Sequence, residues 1–330
     1  MKVLVTGGAG YIGSHAVKRL VADGNDVLVV DNLFRGHRAA VDSASRFEEL
    51  DLRETNKLTS LIKEHGVEVV YHFGALAYVG ESVHEPLKYY DNNTRGSISL
   101  LQACHEAGVK RLVFSSTCAT YGEPERMPIT EDMPQRPINP YGMSKLMFEH
   151  VLKDYAAANA DFAFAALRYF NVAGCAADGS IGEDHEPETH LIPVVMLAAM
   201  GKRDGVTIFG DDYPTPDGTC IRDYVHVEDL VDAHVAVMHA LNNGDQRFYN
   251  LGIGKGYSVR EVVDAVRRVT GKTVPVTMGE RRAGDPPQLY ADASKIQKEV
   301  GWTAKRTDID DIVATAWQWF QSHPDGYGDK

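Results

Sequence analysis

A strand-like run, VLVT at residues 3–6, passes into glycines at Gly7, Gly10 and Gly13 and then into a helix-spaced segment, SHAVKRLVADG. Few features restrict a fold more. Glycine lets the backbone turn sharply, lets it approach a ligand with no Cβ in the way, and lets a helix pack closely on a strand. A strand feeding a helix through such a turn predicts a parallel βαβ unit, with the first helical amides facing an anion. Asp31 closes the next apolar run, DVLVVD, near the ~20-residue offset at which a carboxylate accepts from an adenosine ribose diol. The same carboxylate repels a 2′-phosphate, so the pattern selects NAD over NADP. Arg35, four residues on, reads as a solvated loop arginine.

Further strand-like runs follow at VEVVYHF, RLVFSS and FAFAALRYF, separated by helix-spaced segments such as NTRGSISLLQACHEAG. That alternation predicts an α/β fold with a doubly wound parallel sheet of the Rossmann type, spanning residues 1–175. Beyond residue 175 the texture changes to short strands, prolines and glycines, which predicts a second, smaller α/β lobe over 176–330. This lobe is expected to be discontinuous, because HVEDLVDAHVAVMHAL reads as a regular helix and a segment near 222–252 returns to the first domain. Ser258 and Glu261 form a capping box before a helix at 259–269.

Charge and composition exclude several functions. A formal net charge of −12 opposes a nucleic-acid or anionic-membrane surface, which needs clustered Lys and Arg. The longest apolar stretch, LIPVVMLAAM, is too short to span a bilayer, and the chain opens on a strand rather than a signal-peptide core. Cys104, Cys118, Cys175 and Cys220 show no CxxC spacing, as expected of a reduced, cytoplasmic protein. His234 and His239 are five apart on a helix without any HExxH pattern, so no metal site is expected there.

The chemistry points to NPYGMSKLMFEH, where Tyr141 and Lys145 stand four apart at the start of a helix and so share a face. An ammonium near a phenol favours the phenolate and lowers its pKa toward neutrality, as a general base requires. Ser115, Ser116 and Thr117 end the strand RLVFSST, and ligands in this architecture bind beyond strand C-termini. A hydroxyl there is expected to meet Tyr141.

The glycine turn, the hydroxyl and the Tyr-x-x-x-Lys pair together resemble the short-chain dehydrogenase/reductase superfamily. Longer blocks, HFGALAYVGESVHEPLKYYDNN, SSTCATYG, PYGMSK, LRYFNVAG, DGTCIRDYVHVEDL and RRAGDPPQLYADASK, are similar to the UDP-glucose 4-epimerase family over essentially the whole chain. The resemblance implies Tyr141 as base, Lys145 as its electrostatic partner and NAD-ribose ligand, and Thr117 as the hydroxyl bonding the sugar. It implies a cofactor site formed by Gly7, Gly10, Tyr11, Ile12, Gly13, Asp31, Asn32, Asp51, Leu52, Phe73, Gly74, Asn92, Ser115, Tyr141, Lys145 and Tyr169. Asp51 and Leu52 would flank the adenine. Asn171, His190, Leu191, Arg222, Arg282 and Asp285 would hold the nucleotide sugar, Phe209 would flank the uracil, and Leu289 would line the pocket near C2. Two positions depart from other members: Ala77 stands where some carry a lysine touching the cofactor, and His190 replaces an asparagine.

The implied activity is interconversion of UDP-glucose and UDP-galactose through a 4-keto sugar, and of the UDP-N-acetylhexosamines if Leu289 leaves room for an acetamido group. A 4,6-dehydratase would need acid and base groups after the hydroxyl, where Cys118 and Ala119 stand instead. A non-catalytic NAD-sensing protein would be expected to lose Tyr141 or Lys145. The resemblance also implies a homodimer packed through the helices at 92–107 and 141–157.

Overall fold

The computed structural model describes residues 1–282 and 285–329. The first half runs β1 (Lys2–Thr6), α1 (Tyr11–Ala22), β2 (Asp26–Asp31), β3 (Arg46–Glu49), α2 (Thr55–His65), β4 (Val69–His72), α3 (Val79–His84), α4 (Pro86–Tyr89), α5 (Gly96–Ala107), β5 (Arg111–Ser115), α6 (Pro140–Ala158) and β6 (Ala163–Tyr169). Then come β7 (Asn171–Ala173), α7 (Leu191–Ala199), β8 (Val206–Phe209), β9 (Ile221–Arg222), β10 (Tyr224–His226), α8 (Val227–Ala240) and β11 (Gln246–Leu251). β12 (Tyr257–Ser258), α9 (Val259–Thr270), β13 (Val276–Gly279), β14 (Gln288–Leu289), α10 (Ser294–Val300) and α11 (Ile309–Ser322) complete the chain.

Seven strands form one sheet in the order β11-β6-β5-β4-β1-β2-β3, every neighbouring pair parallel. The doubly wound fold anticipated from the alternation is therefore present. Along β1 the side chains alternate between two cores: Val3 and Val5 join the α1/α8 side, Leu4 the α2/α5 side. Burial on both faces is why these strands read as unbroken apolar runs. β3 gives no such run. Its sequence, RFEE, is charged because it sits at the sheet edge, paired only to β2, where charge discourages strand addition.

Strand order reverses between β1 and β4, and the crevice beyond their C-termini is where a doubly wound sheet takes its ligand. After β6 the chain builds a separate core around α7, α9 and α11, then returns: α8 packs beside α1, and β11 pairs with β6. The capping box at Ser258 and Glu261 is formed at the start of α9.

One buried ion pair fixes the helix that matters most. Glu149 on α6 receives Nε and Nη2 of Arg168 from β6 at 2.9 and 2.6 Å, with side chains 1% and 3% exposed. Ser116 at the end of β5 donates to the same carboxylate at 2.6 Å, and Gln135 at 3.1 Å. Arg168 also donates to the Tyr121 hydroxyl, which donates to Asn250 on β11. Replacing one partner of such a pair leaves an uncompensated buried charge, costing ~3–5 kcal/mol. Glu149→Gln keeps the shape and should lower urea-unfolding stability by that amount; a loss below about 1 kcal/mol, the scale of an exposed pair, would show that the network contributes little.

Candidate active site

The glycine turn is resolved into separate tasks by what a Cβ would meet. At Gly7, where φ is +70°, it would lie 2.5 Å from the Gly74 nitrogen, so the loops after β1 and β4 touch. At Gly13 it would lie 2.0 Å from the Gly7 carbonyl oxygen, which forbids any side chain at this helix–strand contact. At Gly10 the only near atom is the Gly7 oxygen at 3.4 Å, and φ is −80°, which alanine adopts freely. Glycine at this position is unnecessary for the protein's own packing. It suits a ligand approaching the N-terminus of α1, whose first turn carries no acidic residue and whose cap, Gly10, supplies no side-chain hydrogen bond. Tyr11 and Ile12 open that turn, and the Tyr11 hydroxyl donates to the Gly174 carbonyl at 2.5 Å. These features fit a pyrophosphate.

Asp31 ends β2 and accepts from the amides of Ala9 (3.0 Å) and Leu33 (2.8 Å), which orients its carboxylate at the edge of the turn. Asn32 donates to Asp51 at 3.1 Å, while Arg53 grips Asp51 and pulls its carboxyl well below the usual carboxylate range. Leu52 would be the nearest contact, at 3.1 Å, of a Cβ on Gly74. Phe73 packs its ring 4.9 Å from His234, whose Nδ1 bonds the Leu230 carbonyl at 2.8 Å; burial holds this imidazole down at about 4. Asn92 lies on a single π-helical turn, Tyr90–Arg95, between α4 and α5. Its neighbour Asn93 is buried and bonds both backbone groups of Leu76 and the Ser144 hydroxyl, so it ties that turn to α6. Neither the π-turn nor Asn93 carries a signal in composition or periodicity.

The three hydroxyls after β5 divide. Ser115 pairs with the Tyr169 hydroxyl, Ser116 turns inward to Glu149, and the Thr117 hydroxyl acts on the Tyr141 phenol, favouring its ionised form. Tyr141 and Lys145 both sit on the first turns of α6, whose N-cap is Asn139, with Pro140 as the first helical residue. Lys145 is buried and donates from Nζ to the Ser115 carbonyl at 2.8 Å. Here the expected electrostatics differ. Among the protein's own groups burial dominates, pushing the Tyr141 phenol up to about 12, with the Thr117 hydroxyl only partly opposing, and bringing the Lys145 ammonium down to about 7. The ammonium is committed to a carbonyl, and desolvation disfavours both charged forms.

In the second lobe Arg222 on β9 pairs with Asp285, and the Arg282 guanidinium lies 4.0 Å from the Phe209 ring centre. Leu289 on β14 is in register with Arg222 and packs into a small cluster with Tyr121, Ile129 and Cys118, the residue after Thr117. Asn171 on β7 takes the Asp223 carbonyl through its amide. Leu191 opens α7, and His190 is its N-cap with Nδ1 against Glu188 (2.9 Å) and Glu183 (3.1 Å). Arg35 departs from the solvated loop residue expected of it. It lies 4.3 Å over the Tyr78 ring, pairs with Glu81 at 3.2 Å and donates to the Glu186 carbonyl, since the loop after β4 brings Tyr78, and α3 brings Glu81, up to it. Ala77 is exposed on that loop.

A glycine cradle at the switch point, facing a helix that presents tyrosine and lysine beside a threonine hydroxyl, defines an enzyme that pairs a dinucleotide with an alcohol. Comparison with known proteins narrows this. A model of the NAD dependent epimerase/dehydratase family matches residues 3–252. The chain is 53% identical to UDP-glucose 4-epimerase of Lactobacillus helveticus, covering 100% of both. It superimposes on a crystal structure of UDP-glucose 4-epimerase with a TM-score of 0.96, at 47% identity and 99% coverage of each chain. A UDP-glucose 4-epimerase from Bifidobacterium longum in complex with NAD+ and UDP gives a TM-score of 0.95 at 40% identity, covering 99% of this chain and 100% of that one. The chain belongs to the NAD dependent epimerase/dehydratase family and, within it, to the UDP-glucose 4-epimerases.

The glycine geometry predicts a contrast. Gly10→Ala should melt at the wild-type temperature but lose NAD affinity by ~10-fold or more, the equivalent of one displaced contact of about 1.4 kcal/mol. Gly13→Ala should lose stability as well, through its overlap with Gly7. Calorimetry with thermal melts of both variants checks this, and equal behaviour would contradict the division of tasks.

Proposed function

We infer that the protein is an isomerase that interconverts UDP-glucose and UDP-galactose by NAD-dependent epimerization at C4. The observation that carries this is the placement of Tyr141 and Lys145 on the first turns of α6, with the Thr117 hydroxyl favouring the Tyr141 phenolate and Lys145 Nζ buried on the Ser115 carbonyl at the end of β5. NAD would be held by Gly7, Gly10, Tyr11, Ile12 and Gly13 at its pyrophosphate, by Asp31 and Asn32 at the adenosine ribose, and by Phe73, Gly74, Asn92, Ser115, Lys145 and Tyr169 further along. When bound, it supplies a reversible two-electron acceptor at C4, so that no net oxidation results.

The chain's own residues move the proton and hold the sugar. Tyr141 takes the C4 hydroxyl proton, directly or through Thr117, and gives it back to the same oxygen once the 4-keto sugar has turned its other face for reduction. Lys145 favours the phenolate once its ammonium faces added charge or ribose hydroxyls in addition to the Ser115 carbonyl. Arg222 and Arg282 suit a diphosphate that tethers the sugar while it turns over, as bidentate guanidinium donors do. Phe209, already stacked on Arg282, offers a face for uracil. Asp285 holds Arg222 in place.

Residues 1–175 with the returning α8 and β11 would form the cofactor domain, and the remainder the UDP-sugar lobe. A homodimer is supported by Val83, Leu87, Ile98 and Met147, large apolar residues exposed on α3, α4, α5 and α6, which pack together. Among the described residues no helix is long and apolar enough to cross a membrane, and the four cysteines are free. A cytoplasmic location accords with those thiols.

Incubating the pure protein with UDP-galactose and no added cofactor should yield UDP-glucose; formation of a 4-keto-6-deoxy sugar would overturn the assignment. Tyr141→Phe should lower turnover ~10²-fold or more while retaining NAD. Normal turnover by that variant would make Tyr141 a packing residue.

Leu289 bears on breadth. Leucine is shorter than an aromatic side chain and would leave room for an acetamido group at C2. The protein should therefore also interconvert UDP-N-acetylglucosamine and UDP-N-acetylgalactosamine. Specificity is a ratio of transition-state affinities, so both substrate pairs must be measured for wild type and Leu289→Tyr. The substitution should depress the N-acetyl reaction far more than the hexose reaction; equal loss of both would show that Leu289 does not gate the pocket.

A further inference from the structure

The segment GEDHEPETH before α7 brings Glu183, His185, Glu188 and His190 together, with one donor atom from each within 4.8 Å of the others. His185 Nδ1 lies 3.3 Å from Glu183 Oε1 and 3.5 Å from Glu188 Oε2, and His190 Nδ1 lies 3.1 Å from Glu183 Oε1 and 2.9 Å from Glu188 Oε1. Four donors bonded to one zinc ion at ~2.0–2.1 Å stand about 3.3–3.4 Å apart along the edges of a tetrahedron. The four imidazole–carboxylate separations, two of them through different Glu188 oxygens, bracket that value, and a small shift of the side chains would draw one donor from each onto a single ion. The His185 Nδ1 atom is shielded from solvent and meets no partner with good hydrogen-bond geometry; it faces only the two carboxylates, and despite burial their charge holds this imidazole up at about 10. Once deprotonated, the same nitrogen would turn its lone pair to a cation held between the two carboxylates.

From this geometry we propose that Glu183, His185, Glu188 and His190 bind one zinc ion per chain. Two imidazoles and two carboxylates suit zinc better than magnesium or calcium, which prefer all-oxygen shells of six or more donors. The two carboxylates balance the ion's charge with both imidazoles neutral. Without the ion, two imidazoles whose ring centres are 5.0 Å apart share the same pair of carboxylates. The site lies against the Tyr11 and Tyr78 rings, 6.3 and 6.1 Å from His185, so the ion would anchor the strap before α7 beside the start of α1. Ligation through Nδ1 also leaves His190 Nε2 as an N–H donor with a fixed ring orientation. That last consequence rests on reading His190 as a nucleotide-sugar ligand; the metal site itself does not.

The test uses the full-length protein stripped with a chelator, then titrated with zinc chloride or cobalt(II) chloride. The proposal expects one zinc per chain retained through gel filtration, a higher melting temperature with zinc, and the intense visible absorption of four-coordinate cobalt. His185→Ala should weaken zinc binding by more than the ~10–100-fold that loss of even an outer partner costs, with NAD content unchanged. Cobalt absorption in the wild-type protein reads the site even if the variant folds poorly. No retained zinc and no thermal shift in the wild type, a six-coordinate cobalt spectrum, or equal retention by His185→Ala would overturn it. UDP-galactose turnover by the stripped protein separates this result from the epimerase assignment, because an active enzyme without a zinc site refutes only the metal.

Discussion

Glu149 and Arg168 form the pair on which the geometry of the site depends. Their charges are removed from water, so each requires the other, and the double hydrogen bond fixes α6 against β6 in one register. Ser116 adds the end of β5 to the same carboxylate. The consequence reaches the chemistry directly: Tyr141 and Lys145 lie two turns and one turn before Glu149 on that helix, and Ser115 and Thr117 flank Ser116. One buried carboxylate therefore sets the distance between the phenol, the ammonium and the hydroxyl.

The cofactor crevice is positioned by the backbone instead. Gly7 and Gly13 are glycines because their own chain leaves no room, whereas at Gly10 the chain's own packing does not require glycine. This distinction could not be read from the spacing alone, which treats the three alike. The sheet itself was legible: β1, β2, β4, β5 and β6 bury both faces, so their sequences are nearly continuous apolar runs, and the alternation with helices followed. The edge strand β3 was invisible for the opposite reason, since a half-exposed edge carries charge.

At the site, the sequence located Tyr141, Lys145 and a hydroxyl cluster through spacing and strand position. It could not say which hydroxyl faces which partner, because Ser115, Ser116 and Thr117 are adjacent and the answer depends on Tyr169, Glu149 and Tyr141 from three other elements. Burial was not legible for the same reason. A helix face puts a lysine near a tyrosine, but only the packed structure shows that the Lys145 ammonium is spent on the Ser115 carbonyl and that both groups are desolvated. Arg35 drew its partners from residues more than forty positions away. The four donors at 183–190 were in plain view as Glu-x-His-x-x-Glu-x-His, a spacing that a search confined to HExxH and cysteine pairs passes over.

The central claim is that one hydrogen leaves C4 and comes back to the same carbon on its other face, with Tyr141 handling only the hydroxyl proton. UDP-galactose deuterated at C4, incubated with the protein in ordinary water, tests this by NMR and mass spectrometry of the product. The account predicts UDP-glucose that keeps its deuterium at C4. Replacement of that deuterium by solvent hydrogen would mean that C4 is inverted by proton exchange, and would contradict it.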